Sequence, residues 1–304
     1  RDSIYLVEHH IFFKLFSYHK LKLILMRSSM KKYADYIKTK THANINYCNF
    51  YDQFENIFRL NQNKTISMFD PIDHDISREI KKFCTKYKIK LTVYDSPNFM
   101  CNRDMLKDYD NKNSLKHSTF YKWCRKKFKI LVDANDNPEG GKWSFDKENR
   151  LPFSYDLEID NHLTFQNNKY IDEAKKYVNK YFKNNPGETD LYFPIDHTGA
   201  KLYLKQFINK RLDKFGPYED AVDSSTIYGY HSMLSALINI GLLNPSYIIA
   251  EVLKYYKNND VELNSVEGYI RQLFWREYVM YVYLFYDKKF NSNFFGNNKK
   301  LSDS

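Results

Sequence analysis

The sequence predicts an α/β region followed by an all-α region, and three observations carry this. Short strand-like runs alternate with helix-period stretches over the first third of the chain. A turn-rich stretch, Asn135-Asp136-Asn137-Pro138-Glu139-Gly140-Gly141, then punctuates it. From Asp172 onward almost every stretch follows the helical period, broken by Pro, Gly and Asn. A repeated β–α order favours a doubly wound, mostly parallel sheet, because parallel neighbours need a crossover connection. The boundaries expected from these signals are 1–134, 135–170 and 171–304.

Taken in order, Ile4 to Glu8 reads as a strand. Tyr18 to Lys38 reads as a basic helix, with Met26, Met30, Tyr33 and Ile37 at helical spacing. Asn44 to Phe50 reads as a second strand. After Asp75, the positions Ile76, Ile80, Phe83, Cys84 and Tyr87 follow the helical period. Lys90 to Tyr94 alternates as a strand and stops at Asp95-Ser96-Pro97. Ser118 to Ile130 is a helix dense in Lys, Arg and aromatic residues. Further helices are expected over 172–183, 200–214, 231–241, 245–257 and 263–287.

The chain has 304 residues and is 43% hydrophobic, enough for a sizeable core, and its formal charge is +10. That charge suits a phosphate-bearing partner. It equally suits the codon bias of an AT-rich genome, since Lys, Asn, Ile, Tyr and Phe are all abundant. No run of about 18 apolar residues offers a membrane span. The chain opens at Arg1-Asp2-Ser3 and enters a strand at once, as if beginning inside a domain. Cys48, Cys84, Cys101 and Cys124 form no C-x-x-C pair, so no metal site is expected and free thiols in an intracellular setting are.

Two stretches carry chemistry. His231-Ser232-Met233-Leu234-Ser235 places hydroxyls at an expected helix start, where free amides and the helix dipole favour a phosphate. The plain alternative is an N-cap. On the last helix, Glu267, Arg271 and Trp275 are spaced by four and share a face, which reads as a ligand face or as an internal ion pair beside a core Trp.

Gly140-Gly141-Lys142-Trp143-Ser144-Phe145-Asp146-Lys147-Glu148-Asn149-Arg150 resembles the interdomain loop of the iron–sulfur branch of the photolyase/cryptochrome superfamily, the bacterial (6-4) photolyases. Phe120-Tyr121-Lys122-Trp123-Cys124-Arg125, Phe215-Gly216-Pro217-Tyr218-Glu219-Asp220-Ala221 and Val266 to Tyr278 resemble the same branch, and Asn293-Phe294-Phe295 extends the likeness almost to the end. The resemblance implies an antenna-type α/β domain followed by part of a helical FAD-binding domain. It implies that His231, Ser232, Leu234, Ser235, Arg271 and Trp275 hold FAD. Asp220, Gln272 and Trp275 would meet a lesion in UV-damaged DNA, and Trp143 and Phe145 would anchor the loop. A lumazine antenna chromophore is implied for the first domain.

The resemblance covers about the front 60% of the family's length. The first antenna strand, a later His-His pair and the four cysteines of the iron–sulfur cluster are absent, so a complementary C-terminal segment or polypeptide is expected. The functions implied are light-driven repair, a cryptochrome-like flavin photosensor, or a basic DNA-binding relic without cofactor. One departure concerns the helix itself: the family has one more residue between Arg271-Gln272 and Trp275. A deletion there turns everything beyond it by about 100° unless a bulge restores register.

Overall fold

The computed structural model describes residues 2–113, 115–153, 163–224 and 226–287. Asn293-Phe294-Phe295 and part of the expected linker fall outside these residues. The chain is mixed α/β, about half helical, with short parallel strands. In chain order the elements begin β1 (Ser3–Val7), α1 (His10–Phe13), α2 (Lys20–Lys40), β2 (Asn44–Cys48), α3 (Glu55–Leu60) and β3 (Thr65–Phe69). Next come α4 (His74–Lys86), β4 (Lys90–Tyr94), α5 (Arg103–Asp110), α6 (His117–Phe128) and α7 (Lys169–Tyr181). The last are α8 (His197–Lys210), α9 (Leu212–Phe215), α10 (Ser235–Asn239), α11 (Pro245–Asn258) and α12 (Leu263–Phe285). They form two compact units, each assembled from three separated stretches of chain.

The first unit comprises Arg1–Tyr94, Asp160–Asn209 and Ser232–Asn244. β1 pairs in parallel with β2, Val7 opposite Cys48, and β3 pairs in parallel with β4, Met68 opposite Val93. The strands thus form two separate ladders among the described residues. α4 begins where the Asp73 side chain accepts from the Ile76 amide, and it turns Ile76, Ile80 and Cys84 inward. Those residues, with Ile57 and Phe58 of α3, pack against Tyr5 and Val7 of β1, Cys48 of β2, Ile66 and Met68 of β3 and Leu91 of β4. The opposite face of β1–β2 meets α2, whose Lys31 Nζ sits 3.5 Å from the Tyr47 ring centroid. α2 buries Leu23, Ile24 and Leu25 against Ile171, Ala174 and Val178 of α7. Each of the buried Leu, Ile and Val side chains among them contributes roughly 1.5–3 kcal/mol.

At the end of β1, Glu8 is fully enclosed yet fully answered. Its carboxylate accepts from Arg27 Nη1 (2.6 Å), Tyr47 OH (2.6 Å), Tyr177 OH (2.7 Å) and the Phe50 amide (3.2 Å). Arg27 also donates to Glu173 and lies 3.4 Å from the Tyr177 ring centroid.

The second unit comprises Asp95–Ile159, Lys210–His231 and Pro245–Ser304, with α12 at its centre. α6 packs along α12 through Tyr121 OH, which donates to Glu267 (2.7 Å), and through Phe120, stacked on Tyr281 at 5.6 Å between centroids. Arg125 of α6 is fully buried and donates to the carbonyls of Ile130, Leu131 and Trp143. It thereby ties the Gly-Gly-Lys-Trp loop to the helix that precedes it.

The helix expected over 231–241 is shorter, Ser235–Asn239. Met233 takes φ +58°, and a left-handed residue cannot lie inside a right-handed helix.

Candidate functional site

Within the second unit, the Gly-Pro turn after α9 is pressed against α12. The Gly216 amide donates to Ser265 Oγ (2.9 Å), which donates to the Asp213 carbonyl (2.6 Å). A Cβ on Gly216 would stand 2.7 Å from the Ser265 backbone, so only glycine permits this approach. The turn delivers Glu219 over Gly268, where an added Cβ would meet the Asn149 amide nitrogen at 2.8 Å and Glu219 at 3.1 Å.

Glu219 is the hub of the polar cluster. It accepts from Arg271 Nη2 (2.8 and 3.0 Å), Asn149 Nδ2 (3.1 Å) and Gln272 Nε2. Desolvation raises its pKa above the ordinary carboxylate value, against the pull of Arg271. Arg271 is also 3.2 Å from Asp146 and 3.6 Å from Glu267. Its Nε is buried without a hydrogen-bond acceptor. One guanidinium thus faces three carboxylates. Glu267 accepts from Tyr121 OH and from the Phe145 amide (3.0 Å), fastening the loop to α12. Trp143, between Lys122, Arg125 and Lys126, is held by cation–π contacts.

α12 is an uninterrupted α-helix through Gln272 and Trp275, with no bulge between them. Trp275 stacks on His117 of α6 (3.4 Å between centroids, 2° between planes) and remains 38% exposed. Burial, with Arg271 adding to it, lowers the His117 pKa to about 4, so the ring against Trp275 is neutral near pH 7. Arg276 covers the Phe99 ring and donates to the Asn98 carbonyl (2.5 Å). Glu277 turns fully inward and accepts from the amides of Met100 (3.1 Å) and Cys101 (2.9 Å).

Of the residues singled out from sequence, Arg271, Gln272 and Trp275 lie on α12, the first two sharing Glu219. His231 joins them through Nε2, 3.0 Å from the Glu219 carbonyl. Asp220 points outward, with Arg150 Nε 4.0 Å away. Ser232, Leu234 and Ser235 belong to the first unit. There Ser232 Oγ accepts from the Leu234 amide (3.4 Å), Leu234 is buried and Ser235 is exposed. α10 is only five residues long, so its dipole offers an anion less than the longer expected helix would. Sequence patterns passed over Glu219 and His117. An adjacent Glu219-Asp220 pair in a turn signals that one carboxylate faces in, without saying which. Among the described residues, His9, His10 and Glu79 bring metal-ligating atoms within 4.8 Å of one another.

A family described as deoxyribodipyrimidine photo-lyase-related protein matches residues 1–192. The chain belongs to the photolyase-related family. It is 28% identical to a (6-4) photolyase of Agrobacterium fabrum over 99% of its own length and 62% of the relative's. It is also similar to two uncharacterized proteins of Acanthamoeba polyphaga mimivirus. One is 35% identical over 49% of this chain and 78% of the relative, the other 45% identical over 28% and 67%. The chain therefore spans less than two thirds of the photolyase it matches. No described helix is long and apolar enough to cross a membrane.

Proposed function

We propose that this chain is the front part of a light-driven DNA-repair flavoprotein acting on (6-4) dipyrimidine lesions, completed by a further segment or polypeptide. The observation that carries this reading is family membership together with similarity to a (6-4) photolyase over 99% of the chain. Along the sequence we assign 1–134 to an antenna-type domain on a doubly wound sheet, 135–170 to a linker and 171–304 to part of a helical FAD-binding domain. Reduced FAD, when bound, supplies the electron that opens the lesion; the protein binds and orients.

The residues present fit a flavin in part. The buried Nε of Arg271, which has no hydrogen-bond acceptor and faces Glu267 at 3.6 Å, and the half-open ring of Trp275 suit the polar edge and the face of a heterocycle. Arg271 is already surrounded by carboxylates and is a poor phosphate partner, so the diphosphate is assigned to His231, Ser232, Leu234 and Ser235. Asp220, exposed, and Gln272 and Trp275 are assigned to an extruded lesion. Basic surface would hold the DNA backbone. A lumazine antenna is assigned to the first domain, and an iron–sulfur cluster to sequence outside this chain.

The test is purification of the chain with its completing segment, flavin absorbance, and illumination of an oligonucleotide carrying one (6-4) lesion. Restored pyrimidines only in the light support repair. Bound flavin without repair points to a photosensor, and absence of flavin points to a DNA-binding relic.

A further inference from the structure

Where β1 gives way to α1, two histidines stand side by side. His9 is the N-cap of α1, and the Ile11 amide donates to its Nδ1 (3.4 Å). The proton of a neutral ring therefore sits on Nε2, which lies 3.1 Å from Oε2 of Glu79. Glu79 belongs to α4 and is 70 residues away along the chain. The His9 ring is buried edge-on to Phe54, with 4.9 Å between centroids, so packing holds it in place. His10, the first residue of α1, lies alongside at 4.5 Å between ring centroids and is exposed. One ligand atom from each of His9, His10 and Glu79 falls within 4.8 Å of the others. All three residues are in the first unit.

We propose that His9, His10 and Glu79 bind one divalent transition-metal ion of the zinc class, with water in the fourth position. A hydrogen bond between α1 and α4 needs only His9 and Glu79; the second imidazole adds a donor on the solvent side. Two imidazole nitrogens and one carboxylate oxygen suit Zn²⁺, whereas Mg²⁺ and Ca²⁺ prefer shells of oxygen alone. Tetrahedral zinc with bonds of about 2.0–2.1 Å sets its ligand atoms about 3.4 Å apart. The His9–Glu79 pair is already near that spacing, and the exposed His10 can swing in to join it.

The surroundings favour a cation there. Burial, with His10 adding to it, lowers the His9 pKa against the pull of Glu79, which keeps a lone pair available on the ring. Asp73, the N-cap of α4, adds negative charge near His9. When the ion binds Nε2, that nitrogen gives up its proton and Nδ1 gains one, so the ring stays neutral. The bond given up is the long one from the Ile11 amide. The ion would tie the start of α1 to α4, at the point where the chain leaves β1.

The test is calorimetric titration of the full chain with Zn²⁺, after stripping with a chelator and without a histidine tag. One Zn²⁺ per chain is expected. Affinity should fall at least about tenfold in His10→Ala and in Glu79→Gln, both at positions outside the core. His42→Ala, at an exposed histidine outside the set, should leave it unchanged. Ring nitrogen shifts in NMR should show the His9 proton moving from Nε2 to Nδ1 as Zn²⁺ is added, which a purely structural hydrogen bond does not do. Uptake that survives both substitutions would mark adventitious surface binding and overturn the proposal. So would the absence of uptake, or displacement of Zn²⁺ by an equal concentration of Mg²⁺.

Discussion

Replacing Glu277 with Gln should remove a pH dependence from the stability of the second unit. The carboxyl is fully buried, and desolvation, partly offset by the amides of Cys101 and Met100 and by Arg276, pushes its pKa from 4.5 up to about 7. Between those values the folded protein holds a proton that the unfolded chain has released. Stability therefore falls as pH rises from 4.5 to about 7, then stays level above. The shift corresponds to about 3 kcal/mol at about 1.4 kcal/mol per pH unit. The substituted amide would keep an oxygen for the two backbone N–H groups and cannot ionise. Glu277→Gln should match the parent protein near pH 4.5 and exceed it by about 3 kcal/mol at pH 8. Urea denaturation of both proteins at half-unit pH steps reads the difference directly, and subtraction removes groups common to both, Glu219 included. Parallel stability profiles across that window would show that Glu277 ionises without cost and would refute the burial argument.

Gly216→Ala should destabilise the second unit by about 2–3 kcal/mol, because the new methyl meets α12 backbone that cannot step aside. A loss under about 0.5 kcal/mol in the same denaturation assay would mean the turn does not press on Ser265 as described. Arg27→Met should cost about 3–5 kcal/mol by leaving the enclosed Glu8 charge without its cation. Adding Glu8→Gln should recover much of that loss, and a double variant no more stable than Arg27→Met would show that the cation matters by packing alone.

Much of the architecture was legible along the chain because its signals are local. Lys90 to Tyr94 alternates between turn residues and is β4 as expected. The long periodic stretches 172–183, 245–257 and 263–287 are α7, α11 and α12 within a few residues. β3 went unread because Thr65–Phe69 is five residues with only Ile66 and Met68 turned inward, a weak alternation. α3, at six residues, is too short to show a period. The site was half legible. Arg271, Gln272 and Trp275 share a helix and could be found by spacing. Glu219 and His117 reach them from far along the chain, and no local pattern encodes that Glu219 turns in while Asp220 turns out. The late start of the expected 231–241 helix rests on one left-handed residue, Met233, a residue type that gives no warning of it.

The three-part construction of each unit sets a timetable for synthesis. Arg1–Tyr94 is synthesised well before Ser232–Asn244, the stretch that closes its unit. At ordinary translation speeds the nascent strands β1 to β4 wait on the order of ten seconds for that last piece. During that interval the apolar face built from Val7, Ile66, Met68 and Leu91 must rely on α3 and α4 for cover. Production of this protein should therefore respond to chaperone supply and to codon speed between Asp95 and Ser232.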